Sequence, residues 1–127
     1  MPEIPALRKP ALLVVEDDRL LRWSLRQKFG GAGWDVLEAG TGAAGVSAVS
    51  GRRVDLALLS VSLPDGDGEA FARRLSAAHP ECRVVLMGSA SRPDSVGPRS
   101  GGWPTFEKPF DLDDLVRWAG EARLLTG

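Results

Sequence analysis

The residues of this chain that could do chemistry stand at the ends of short apolar runs. Glu16-Asp17-Asp18 follows Ala11-Leu12-Leu13-Val14-Val15, and Ser60 follows Val54 to Leu59. Gly88-Ser89 follows Arg83 to Met87, and Lys108-Pro109 follows Phe106. Adjacent carboxylates facing a lysine form a divalent-cation site beside an ammonium that can hold an anion. A nucleotide or flavin would want a glycine-rich, donor-rich turn after the first run. That place is instead crowded with negative charge, which repels phosphate unless a cation intervenes.

These groups can meet only if the runs lie side by side. Ala11 to Val15 is apolar without alternation, which suits a strand covered on both faces of a parallel sheet. Arg19 to Phe29 carries Leu21, Leu25 and Phe29 at a spacing of four, and Gly30-Gly31 and Gly33 end this amphipathic helix. Trp34 to Ala39 reads as a second strand, Thr41 to Val49 as an Ala-rich helix and Val54 to Leu59 as a third strand. A turn follows over Leu63 to Gly68. Phe71, Leu75 and Ala78 then mark a helix stopping near His79-Pro80, before a fourth strand at Arg83 to Met87. Asp111 is placed as an N-cap, with Asp114 in the first turn, for a last helix lined by Leu112, Leu115, Val116 and Ala119. Strands alternating with helices predict a parallel sheet between two helical layers. In such sheets ligands bind outside the carboxyl ends of the strands, where the residues named above stand.

The segment from Gly88 to Gly102 breaks this rhythm where another helix is due. Pro93 and Pro98 remove backbone donors, glycines add entropy, and Val96 is the only sizeable apolar residue. A loop is expected there.

Composition narrows the function classes. A length of 127 residues suits one domain, with 1–10 as an N-terminal extension and 11–125 as the folded unit. A net charge of -1 offers no general drive toward nucleic acid or an anionic membrane. Cys82 is the only cysteine, so no internal disulfide can form; it reads as a small buried apolar residue. Met1 to Pro10 lacks an apolar secretory core, and no run approaches the roughly 18–20 apolar residues that span a bilayer, so a cytoplasmic location is expected. His79 reads as a polar helix end, and Trp23 and Trp118 as partly buried packing residues. Trp103 reads as a cover over the neighbouring face or a contact to a partner. Asp65-Gly66-Asp67-Gly68 begins like a calcium loop, but Ser76 stands where the closing Glu would be, so a turn is expected.

Three stretches together resemble the response-regulator receiver domains of two-component signalling. They are Leu13-Val14-Val15-Glu16-Asp17-Asp18, Leu58 to Gly68 (LLSVSLPDGDG) and Phe106-Glu107-Lys108-Pro109-Phe110, in order across about 11–119. The stretch Leu21-Arg22-Trp23-Ser24-Leu25 is most similar to receivers attached to nitrogen-regulator-type enhancer-binding activators. The resemblance implies a flavodoxin-like, doubly wound, five-stranded parallel sheet, with the fourth helix degenerate or replaced by a loop. It implies phosphoryl transfer from a kinase phosphohistidine to an aspartate, which depends on positioning and charge neutralisation. Glu16 and Asp17 would hold magnesium, Lys108 would pair with the acceptor, and the Lys108-Pro109 peptide would be cis.

Four departures from the family pattern follow. The acceptor position is Ser60, a neutral hydroxyl with no adjacent base. The phosphate-sensing hydroxyl position falls on Gly88, with Ser89 one place late and useful only if the loop bends there. Thr105 stands where the family has a switch aromatic, and the switch helix is replaced by the Gly/Pro/Ser segment. Such a chain is expected to be a pseudo-receiver, not an enzyme, acting through protein contacts. Its partners would be an attached output domain, a histidine kinase or a second copy in a homodimer, with no direct contact to nucleic acid or membrane. No cofactor is required, and Mg2+ at Glu16 and Asp17 would be weak or vestigial, with Lys108 free to pair with Asp17 instead. The alternatives are a receiver switched by a serine kinase at Ser60, and a small phosphohydrolase, for which Glu16-Asp17-Asp18 matches the required Asp-x-Asp poorly.

Overall fold

The computed structural model describes residues 8–89 and 103–126, with the backbone alone at 89 and 122–126. The segment expected as a loop therefore falls largely outside the described residues. The strands of the main sheet are β1 (Ala11–Val15), β2 (Asp35–Ala39), β3 (Leu56–Ser60), β6 (Arg83–Ser89) and β7 (Thr105–Lys108). Between β3 and β6, Ser62–Leu63 (β4) and Gly66–Asp67 (β5) form a small antiparallel pair. The helices are α1 (Arg19–Gly31), α2 (Gly42–Ala48), α3 (Gly68–Ala78) and α4 (Leu112–Thr126). The main sheet has the order β2-β1-β3-β6-β7, and every neighbouring pair in it is parallel.

This flavodoxin-like order follows from burial on both faces. Along β1, Leu13 and Val15 turn to one side and pack with Ala57, Leu59, Val84 and Leu86 beneath Phe71, Ala72 and Leu75 of α3. Leu12 and Val14 turn to the other side, with Leu58, Val85 and Met87, beneath Leu25 and Phe29 of α1 and Leu115 and Ala119 of α4. An unbroken apolar run thus feeds two cores. Each fully buried Leu or Val in it stabilises the fold by about 1.5–3 kcal/mol.

The helix ends are set by acids and hydroxyls. Asp18 Oδ1 accepts from the N–H groups of Leu20 and Leu21, and Asp111 Oδ1 from those of Asp113 and Asp114. Asp67 caps α3 through Glu69 N–H, and Thr41 caps α2 through Ala44 N–H. The helix expected over Thr41 to Val49 thus uses those two residues as its caps. At the other end of α1, Gly33 takes a φ of +94°, turning the chain so that Trp34 meets Phe29 edge-on. Lys28 and Asp113, 2.7 Å apart, join α1 to α4; their hydrogen bond and mutual charge raise the lysine pKa and lower the carboxyl's.

Two sequence expectations need correction. Trp23 is not a packing residue: it is 56% exposed, on the outer face of α1 beside Leu20 at 72%. The segment expected as a simple turn before α3 carries the β4–β5 pair, because Gly66 at φ +150° lets the chain reverse tightly enough for Ser62 and Asp67 to pair. Cys82 is buried as expected, and Trp118 is partly buried against Phe106. Trp103 is partly buried and packs against the core under α2 and α3.

Candidate functional site

The chain runs from β1 to β2 on one side and then crosses to β3 on the other, so the carboxyl ends of β1 and β3 flank the topological switch point. Glu16 leaves β1 there and is 1% exposed. Its Oε1 accepts from Lys108 Nζ at 2.7 Å, and its Oε2 accepts from Asp18 N–H at 2.9 Å. Ser60, at the end of β3 and 3% exposed, donates through Oγ to Ser62 O at 3.1 Å and accepts from Lys108 Nζ at 3.2 Å. Lys108, from β7, therefore reaches over the ends of β6 and β3 to meet both. The Lys108-Pro109 peptide is cis.

The three acids after β1 have parted company. Glu16 is inside, Asp17 is exposed, and Asp18 is committed to capping α1. The ion pair expected between Lys108 and Asp17 is in fact made with Glu16, the residue whose side chain stays inside at the end of β1. Among the described residues, no three His, Cys, Asp or Glu side chains gather to hold a metal.

The register of β6 against β7 places both candidates for the sensing position. β6 continues unbroken through Ser89, which pairs with Lys108, whereas Gly88 pairs with Glu107. Two residues before Ser89, Met87 pairs with Ser60. The residue that β6 pairs with Lys108 is thus Ser89. Thr105 lies at the start of β7 opposite Leu86, and its hydroxyl faces Trp103 O at 3.4 Å.

Sequence reasoning missed three supports. Arg22 on α1 donates from Nη1 to Glu16 O at 2.7 Å and lies 3.5 Å from Glu38, fixing the turn that delivers Glu16. Gly68 brings α3 so close to β3 that an added Cβ would lie 1.9 Å from Ser60 O. Asp65 accepts from the N–H groups of Gly42 and Ala43 at 2.8 and 2.9 Å, tying the loop after Ser60 to α2. Those bonds, Ala43's first, hold its carboxyl below the usual range. All three depend on contacts between different elements of the fold, for which spacing gives no signal.

Fold and site together define a parallel α/β domain whose carboxyl-end pocket assembles a carboxylate, a hydroxyl and a lysine. The family model for the response regulator receiver domain matches residues 12–119, and the chain belongs to that family. DNA-binding transcriptional regulator NtrC of Escherichia coli (strain K12) is 29% identical over 112 residues, covering 87% of this chain and 24% of that protein. Sporulation initiation phosphotransferase F of Bacillus subtilis (strain 168) is 28% identical over 106 residues, covering 82% of this chain and 86% of that protein. Among solved structures, a CheY-like response regulator receiver domain protein from Methanospirillum hungatei JF-1 superposes with a TM-score of 0.82. It is 25% identical, covering 91% of this chain and 94% of that one. The chain thus spans about a quarter of NtrC but most of the sporulation protein.

Proposed function

We propose that this chain is a pseudo-receiver: a two-component receiver domain that signals through protein contacts without accepting a phosphoryl group on aspartate. Ser60 carries the reading. It brings no negative charge to a cation, and its hydroxyl is already engaged at both ends, donating to Ser62 O and accepting from Lys108. A serine at this place could act as a nucleophile only with a base beside it. Its neighbour Lys108 instead spends its ammonium donating to Glu16 and Ser60. Thr105 in the place of a switch aromatic supports the same reading. So does the expected loss of the switch helix.

Burial weighs against the serine-kinase alternative, because a kinase must reach the hydroxyl and Ser60 is 3% exposed. The pattern fits no catalytic role for this domain. Its partners are an output domain on the same chain, a histidine kinase or a second copy. The relatives are of both kinds, a long DNA-binding regulator and a protein of about this chain's own length, so they do not choose among these. No helix among the described residues is long and apolar enough to cross a membrane.

The test is intact mass after incubation with acetyl phosphate and magnesium, for the native chain and for Ser60→Asp. The native chain should gain no phosphoryl group; a gain would overturn the reading. A gain by Ser60→Asp alone would place the loss in the acceptor, and no gain by either would place it in the whole pocket.

A further inference from the structure

Receiver-type phosphoryl transfer calls for a magnesium ion at the acidic turn, and the residues present here do not fit one. Magnesium wants several oxygen ligands in near-octahedral order at about 2.1 Å. Both oxygens of Glu16 are taken, one by Lys108 Nζ and one by Asp18 N–H. Asp18 is held by the first turn of α1, Asp17 is exposed, and position 60 supplies a hydroxyl that already donates to a carbonyl. To admit a cation, Glu16 would have to give up its ammonium partner inside a site where it is 1% exposed. The arriving ion would then stand beside a displaced ammonium.

We infer that Lys108 is this chain's built-in cation: its ammonium occupies the electrostatic place of the metal, and the site is closed to divalent ions. One positive charge balances the buried Glu16 carboxylate, which an acceptor aspartate at position 60 would have left insufficient. The ammonium also spans from β7 to β1 across two intervening strands, so the ends of the sheet are tied without metal. The domain then holds one arrangement whatever the magnesium concentration. This inference rests on the reading of the site as retired from phosphoryl transfer, but the two can fail separately. Phosphoryl gain by the native chain sinks that reading. Cation uptake without such gain sinks only this one.

The experiment titrates Mn2+ into the native chain, Lys108→Met and Glu16→Gln, following the free-ion electron paramagnetic resonance signal, with thermal unfolding in the presence and absence of MgCl2. The native chain should leave the free Mn2+ signal intact and show no magnesium-dependent shift in Tm. Lys108→Met, which leaves Glu16 without its counter-charge, should take up Mn2+ and regain with magnesium much of the Tm it loses. Mn2+ uptake by the native chain that Glu16→Gln abolishes would overturn the inference. Uptake that Glu16→Gln leaves intact lies away from Glu16 and agrees with a closed site. A folded Lys108→Met that takes up no Mn2+ would also overturn it, since Glu16 once released would not be a cation ligand. Should Lys108→Met not fold, Lys108→Gln keeps a donor for Glu16 without the charge and serves in its place.

Discussion

Replacing Gly68 by alanine tests the packing of the site more sharply than changing any charged residue in it. Gly68 is the first residue of α3, and its N–H donates to Val61 O at 2.8 Å. A Cβ there would lie 1.9 Å from Ser60 O and 3.0 Å from Val61 Cα, both backbone atoms that no side-chain rotation can clear. Ser60 closes β3, which pairs with β1 on one side and β6 on the other, so the carbonyl cannot retreat without disturbing the sheet. The start of α3 must then move by about an ångström, a forced shift of the kind that costs roughly 1–3 kcal/mol. Weakening the Gly68 to Val61 hydrogen bond adds about 1 kcal/mol. A total near 3 kcal/mol lowers Tm by about 10 °C in a domain of this size. Gly120→Ala is the control: it lies inside α4 with nothing within 4 Å of its Cβ position. There the better helix propensity of alanine should stabilise the chain by roughly 0.8–1 kcal/mol and raise Tm by about 3 °C. Thermal unfolding followed by circular dichroism reads both variants. A Gly68→Ala chain melting within a degree or two of the native one would refute the close approach of α3 to Ser60, and with it the geometry of the pocket.

Lys108→Met should cost about 3 kcal/mol by urea unfolding, because it strands a buried carboxylate. Glu16→Gln should cost only about 1 kcal/mol, since Lys108 is 27% exposed and can turn to water; equal losses would contradict the one-sided burial of the pair. Asp65→Ala should lower Tm at neutral pH by freeing two N–H groups of α2. Because folding depresses the Asp65 pKa, that contribution is full above the ordinary carboxylate range and is lost as pH falls through the depressed value. The Tm gap to the native chain should therefore close in acid, and a gap that widens would be inconsistent with this origin. Burial pushes the Cys82 thiol up to about 12. It should resist alkylation at pH 8 in the folded chain and react on unfolding, as mass spectrometry after iodoacetamide would show; rapid labelling of the native chain would place Cys82 at the surface.

The order of elements was written in periodicity and caps: apolar runs without alternation for the inner strands, and Asp18 and Asp111 ahead of helices. Such signals are local, so residue types and spacing alone carried the parallel sheet and the placing of Glu16, Ser60 and Lys108 at its carboxyl edge. What each group does there was decided only by tertiary contact. Three adjacent acids look alike in sequence, yet the end of β1 buries Glu16, exposes Asp17 and commits Asp18 to a helix cap. Whether Gly88 or Ser89 stands beside Lys108 depends on a strand register that hydrogen bonds between β6 and β7 set. Trp23 was read as packing from its place in a helix, yet it stands two residues from both Leu21 and Leu25, on the opposite face of α1, and is left outside. Arg22, Asp65 and Gly68 support the site through partners between 6 and 23 residues away in sequence, Glu16, Gly42 and Ser60 among them. Residue type records the capacity to bond, and the fold alone brings the partner within reach.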